Sequence, residues 1–570
     1  MKSLTAKTYL PSSPSTGSLL NPIGEAQLGN PNACLPNEEL KEIPQPKVNT
    51  NVMTINFEEI EKNSHRATGD PIRCERCIGY LSVDSKYDMS TKTWVCEFCG
   101  YPNILDLEEE DLPKHSIMTY IDPDQEVSSA PAAVTYSPSV IFCIDISGSM
   151  SSSSQCRTKF KYMRHQDHIT RLESVKLAVD EQLEKLAKNS PNTKVGLVVF
   201  SDEVKILGDD TVDDHTLNCD LSNYNEILEE AKKLVGRYLI GSISETLPKM
   251  LRKLEEIDAQ GTTALGPALL FSLGLVLGQS GSKIILCTDG QANVGIGEVH
   301  YTDNRNAQEV YEAIAELALK EGISICLVSL VEEECRLDLL APCATKTGGN
   351  MVKIDPENLA DDFAEFLSER IIAFNCTIAI KLHSIMKFVT INPSDIGADP
   401  SVLFKELGIV VPTLVFTFEY ALKSPEELKQ NNINITKLKK LPFQVLLTYI
   451  GPDKLRYCKV ISKTLEVTND REEASKGIDV NILAMHSRKK TGDLALQGRM
   501  REAQNVTASY RSLIKGNKEA ENEYNKVVKP LEKTVKQETT TAAYSKGYRS
   551  DMLTVNITRT QKFPTKKYKS

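Results

Sequence analysis

No apolar run in this 570-residue sequence approaches the ~18 residues needed to span a bilayer, so no transmembrane helix is expected. The first residues, Met1-Lys-Ser-Leu-Thr, lack the apolar core of a signal peptide, and the expectation is an intracellular chain. In that setting the 14 cysteines read as reduced thiols or metal ligands, not as disulfides. An excess of positive charge is missing too. Lys and Arg number 67 against 77 Asp and Glu, a net charge of −10, which argues against a general phosphate-binding surface and hence against nucleic acid. There is no Gly-x-x-x-x-Gly-Lys-Ser/Thr loop and no Asn-Lys-x-Asp strand ending, so GTP hydrolysis is not expected. The eight histidines are scattered and no nucleophile–base pattern stands out, so the chain reads as a non-enzymatic binding protein.

The length allows about three domains at ~150 residues each. Residues 1–70 are rich in Ser, Pro and Asn and read as mostly disordered, with a short strand at Val52–Phe57. Residues 71–105 hold a cysteine cluster, followed by an acidic linker and an extended segment to Pro138. From 136 to 374 apolar strands alternate with amphipathic helices, the pattern of a parallel sheet covered on both faces: an α/β, doubly wound domain. In its first helix Leu172, Val175, Val179, Leu183 and Leu186 recur at helical spacing. Residues 375–468 read as antiparallel strands, sandwich-like, and 469–536 as charged helices. Residues 537–570 read as a disordered basic tail.

Two motifs carry chemistry. Cys74-Glu-Arg-Cys77 and Cys96-Glu-Phe-Cys99 are separated by 18 residues, a spacing that closes a tetrahedral thiolate site for Zn²⁺. With four thiolates and no open position the zinc is structural, and the cluster is a zinc ribbon. The second motif begins where the strand Val140–Ile144 ends in Asp145, Ser147 and Ser149. Farther on, Gly261-Thr-Thr263-Ala leads into a helix, and Lys283–Thr288 is a strand ending in Asp289. These segments bring oxygen ligands to the C-terminal edge of one sheet, where open α/β sheets bind ligands. An oxygen-only set suits Mg²⁺, which keeps water at its open positions.

On these residues the chain resembles the von Willebrand factor A family, whose metal-ion-dependent adhesion site has the form Asp-x-Ser-x-Ser. The resemblance implies Mg²⁺ held by Asp145, Ser147, Ser149, Thr263 (with Thr262 the second choice) and Asp289, and a partner protein supplying a carboxylate to the open position. The order of ribbon, A domain, β-rich segment and helices is similar to the inner-shell subunits of the coat protein complex II vesicle coat. It is also similar to the C-terminal half of circularly permuted Ras proteins. Leu455–Ser462 and Asp470-Arg-Glu-Glu-Ala474 resemble the coat subunits' last sandwich strand and the helix start after it. Coat subunits generally have degenerate adhesion sites, whereas this one is complete. Only a short tail stands where they carry a gelsolin-like domain, so a GTPase-activating role is not carried over.

The expected function is an intracellular scaffold that binds an acidic group on a partner through Mg²⁺; the alternative is a coat-like component, peripheral to membranes. Lesser candidates are Cys156, His165 and His168 as a second metal site, read instead as solvated loop residues. Cys287 and Cys326 read as buried hydrophobes, and Cys335 and Cys343 as non-catalytic. Basic clusters at Arg488-Lys-Lys490 and Arg499-Met-Arg501 could touch an anionic membrane, but a solvated helix face is the simpler reading. The zinc ribbon is expected to dock beside the A domain.

Overall fold

The computed structural model describes residues 8–9, 52–57, 65–67, 70–122, 138–155, 168–209, 212–300, 303–330, 335–354, 371–390, 392–424, 427, 440–453, 455–468, 479–540 and 549–559. Cys156, His165, residues 470–474 and most of the first seventy lie outside them.

The central sheet has seven strands. Five run parallel, in the order Lys194–Phe200, Ser139–Asp145, Lys283–Thr288, Ser324–Leu330, Met351–Ile354, and the short strands Val204–Ile206 and His215–Thr216 extend one edge antiparallel. Every residue of Ser139–Asp145 is buried, as a strand covered on both faces requires. Its side chains alternate between two cores. Ile141 and Cys143 join one with Ile227, Leu269 and Ile314; Val140, Phe142 and Ile144 join the other with Val175, Val179 and Leu183. The expected helical stripe is therefore the buried face of Arg171–Asn189, with Leu186 at its margin. That helix starts at a reciprocal capping box, Thr170 with Glu173, which satisfies two of its free N–H groups. Helices cover both faces of the sheet, so the doubly wound domain stands as expected, with two antiparallel strands added.

The β-rich region is a two-sheet sandwich around Ile378, Ile380, Phe416, Phe418 and Val445. It is not confined to residues after the A domain. Ile117–Asp122 pairs with Arg456–Thr468, His65–Ala67 pairs with Ile117–Asp122, and Val52–Asn56 pairs with Val415–Leu422. The A domain is thus inserted between strands of one sandwich. Residues 402–422 form two strands, Val402–Val410 and Val415–Leu422, separated at Pro412, which cannot donate to a ladder.

The helices are Val480–Leu496, Met500–Leu513 and Lys518–Thr540, followed by Asp551–Thr558. The last two correct the expectation that residues 537–570 lack structure. Leu553, Val555 and Ile557 are buried, an apolar stripe too short to weigh against the basic composition around it. Asp551 is wholly buried and reaches the A domain. Its carboxylate accepts from Cys335 N at 2.6 Å and Leu337 N at 2.8 Å, at the start of helix Leu337–Lys346, with Lys353 Nζ 3.4 Å away. The zinc ribbon is tied to the sandwich. Gln444 accepts from Tyr80 N at 2.7 Å and donates to Tyr80 O at 2.6 Å.

Replacing Asp551 by Ala strips two charge-assisted hydrogen bonds and leaves buried Lys353 without this carboxylate. We expect a local loss of about 3 kcal/mol, read as faster hydrogen exchange over the helix Asp551–Thr558 and its A-domain contact. Unchanged exchange there would mean that the carboxylate does not hold the two units together.

Candidate metal centres

In the ribbon, short strands and tight turns aim four thiols at one point. Cys74 Sγ lies 3.7 Å from Cys99 Sγ and Cys77 Sγ 3.6 Å from Cys96 Sγ, and all four sulfurs lie within 4.8 Å of one another. Sulfurs bound to Zn²⁺ at ~2.3 Å in a tetrahedron are ~3.8 Å apart, and a disulfide would need ~2.05 Å, so the spacing fits zinc. Gly79 is needed because a Cβ there would fall 2.7 Å from the Phe98 ring and 3.3 Å from Cys77 Sγ. Trp94, wholly buried, forms the small core beneath. Hydrogen bonding from Cys96 pulls the Cys77 thiol down to about 5.

The second centre is at the C-terminal edge of the central sheet. Asp145 and Asp289 end neighbouring parallel strands and both are fully buried. After Asp145 the chain turns tightly, and Ser147 N donates to Asp145 Oδ1 at 2.8 Å. Ser147 Oγ lies 3.0 Å from Ser149 Oγ, which donates to Asp289 Oδ1 at 2.7 Å. The third segment joins through Gly148 N, which donates to Gly261 O at 3.0 Å. Gly261 has φ +77°, and a Cβ there would fall 2.1 Å from Asp202 Oδ1, so only glycine serves. Thr263 follows, buried, its N–H donating to Asn293 Oδ1 at 2.7 Å. A point one bond out from the Cα of Gly290 lies 3.7 Å from Ser149 Oγ and 3.8 Å from Thr263 Oγ1, so these hydroxyls flank one small space. Thr262 is exposed. All five sequence-derived residues therefore meet, with Thr263 the threonine on the inner side.

Neighbouring oxygens around an octahedral Mg²⁺ at ~2.1 Å are ~3.0 Å apart, close to the Ser147–Ser149 and Ser149–Asp289 separations. The donor set fits a hard divalent cation. Two residues absent from the sequence reading complete it. Thr288 Oγ1 donates to Asp145 Oδ2 at 2.6 Å. Arg171 Nη1 donates to Asp289 Oδ2 at 2.6 Å, a buried ion pair with side-chain exposures of 4% and 0%. The only sequence signal for Arg171 was its place at the first turn of a helix that starts beside the site. Its charge answers Asp289. Burial pushes Asp145 up to about 6, against hydrogen bonds from Ser147 and Thr288, with the charge of Asp289 adding to the rise.

The remaining cysteine candidates are structural. Cys287 and Cys343 are buried and their thiols are raised by desolvation, Cys343 to about 12; Cys326 and Cys335 are buried as well. His168 is exposed on a short strand.

Residues 71–108 match the Sec23/Sec24 zinc finger family. Residues 140–291 match the von Willebrand factor type A domain. The chain thus has an A domain and a zinc finger of the Sec23/Sec24 type. Among whole proteins it is similar to circularly permutated Ras protein 1 of Dictyostelium discoideum, 27% identical over 511 residues, covering 85% of this chain and 59% of that protein. It is also similar to protein transport protein SEC24-1 of Candida glabrata, 23% identical over 250 residues, covering 40% of this chain and 25% of that one. The chain thus spans well under two thirds of either relative. The fold resembles the human COPII-coat protein Sec24c, with a TM-score of 0.58 at 12% identity over 90% of this chain and 75% of that one.

We expect the Cys77→Ser protein to lose close to one equivalent of zinc by elemental analysis and its ribbon to unfold, exposing Trp94 and red-shifting its fluorescence. For Asp145 the sign is set by a folded value, about 6, above the ordinary 3.8. The folded state binds the proton more tightly, so this group's contribution falls as pH rises from 4 to 6, by up to about 3 kcal/mol. In EDTA, the stability of the Asp145→Asn protein relative to the parent should rise across that window. Parallel profiles would remove Asp145 as the cause.

Proposed function

We propose that this protein is an intracellular interaction scaffold whose A domain holds Mg²⁺ on Asp145, Ser147, Ser149, Thr263 and Asp289. The ion's open position accepts a carboxylate from a partner protein. The observation that carries the reading is the convergence of these five side chains, from three separated segments, on one small space at the sheet edge. Two buried carboxylates facing one guanidinium leave a negative balance that a divalent cation offsets. Ser149 is exposed, so the site is reachable from solvent. The protein's own groups do the rest. Thr288 and Ser147 orient Asp145, Arg171 orients Asp289, and Asn293 fixes the Thr263 loop.

A second reading, a vesicle-coat-like component peripheral to membranes, is supported by the Sec24c-like fold and the zinc finger match. In that reading the metal is secondary. The two part on one substitution. Under the first, calorimetry with MgCl₂ detects one site in the parent protein. The Asp145→Ala protein loses at least about tenfold in affinity, and partner capture from lysate falls alike with EDTA and with the substitution. Capture indifferent to both would overturn the adhesion reading and leave the coat-like one standing.

A further inference from the structure

The basic cluster Arg488-Lys-Lys490 does not lie on a solvated face. It sits where helix Val480–Leu496 crosses the sandwich strands Met386–Val389 and Val415–Leu422, beside a cleft open to solvent. Phe388 and Phe416 line its apolar side, and Lys489, Asp493 and His486 reach it from one face of the helix. Other charges lining the cleft are already matched: Lys490 Nζ lies 2.7 Å from Glu419 and Lys405 Nζ 2.8 Å from Asp395.

Lys489 and Asp493 are not. They stand one helical turn apart, the spacing at which such pairs usually close, yet neither side chain makes a hydrogen bond or ion pair with a described residue. The Lys489 ammonium lies over the Phe416 ring, 4.5 Å from its centre. Burial lowers it to about 8 and raises the Asp493 carboxyl, so both charges lack the partners that would hold them. His486 is 7% exposed. Its Nδ1 is 3.0 Å from Thr417 Oγ1, and its buried Nε2 makes no hydrogen bond, standing 3.6 Å from Glu419. His486 thus faces Thr417 and Glu419, and its Nε2 is shut off from solvent. The cleft therefore holds one unpaired ammonium, one unpaired carboxylate and an aromatic wall.

We propose that this cleft binds a small zwitterion with an apolar body, in chemical class an α-amino acid. Its carboxylate is taken by Lys489, its ammonium by Asp493, and its apolar side chain lies against Phe388 and Phe416. A carboxylate alone would leave Asp493 unanswered, and an amine alone would leave Lys489 so. The proposal is independent of the Mg²⁺ site.

The test is calorimetric titration of the full chain with L-phenylalanine, phenethylamine and 3-phenylpropionate. The two analogues each carry one of the two charges. We expect saturable binding of phenylalanine and affinities at least about tenfold weaker for either analogue. Lys489→Met keeps the apolar stem over Phe416, and Asp493→Asn keeps the side-chain shape. Each should weaken phenylalanine binding at least about tenfold, while melting within a few degrees of the parent protein. No heat with phenylalanine, leucine or tryptophan up to about 10 mM would overturn the proposal. So would affinities unchanged in both variants, or an analogue that binds as well as the zwitterion.

Discussion

Two buried carboxylates at the ends of adjacent parallel strands are the constraint around which the A domain is arranged. Burying like charges side by side is costly, and the domain offsets that cost locally. Arg171 is drawn across from the first turn of its helix to Asp289, Thr288 turns its hydroxyl onto Asp145, and the Ser147 N–H closes over the same group. Each of these partners fixes an element. The Arg171 contact sets how the first helix leaves the sheet, and the link between Ser149 and Asp289 sets how two crossover loops approach each other. Gly261 lets the third segment come close, where a side chain would meet Asp202. The rest of the sheet, apolar on both faces, is what lets the pair be dry enough for a bound ion to matter.

The thiolate cluster and the oxygen-lined sheet edge were legible because their residues are written in short spacings. A pair of Cys-x-x-Cys knuckles allows one arrangement, and all four sulfurs gather as the spacing requires. The Asp-Ser-Ser loop and the later Thr263 and Asp289 were readable for a different reason. Asp145 and Asp289 end or follow apolar strands, which parallel pairing sets along one edge, and Thr263 lies in the turn before helix Leu265–Leu275. Arg171 and Thr288 were not legible, because helix-start arginines and strand threonines are common and only the packed geometry gives these two a role.

The sandwich was harder to read. Met386–Val389, His65–Ala67 and Ile117–Asp122 are short, and nothing local says that strands before the A domain pair with strands after it. The helix bearing Lys489 misled in a related way. Its basic residues read as a wet face, since sequence shows charge but not the Glu419 and Phe416 that wait opposite. The final helix, Asp551–Thr558, was lost in the composition of its surroundings, although its first residue grips the A domain.

The insertion of the A domain within the sandwich has a kinetic consequence. On a ribosome, Val52–Asn56 and Ile117–Asp122 emerge early, while their partners Val415–Leu422 and Arg456–Thr468 emerge only after the whole A domain has been made. The A domain and the ribbon can each complete a core from contiguous chain, so they mature first. The early strands meanwhile remain unpaired edges, the kind of surface that recruits other chains. Vectorial synthesis thus leaves this protein with a half-built sandwich flanking a finished domain, and the last strands to be translated are the ones that close it.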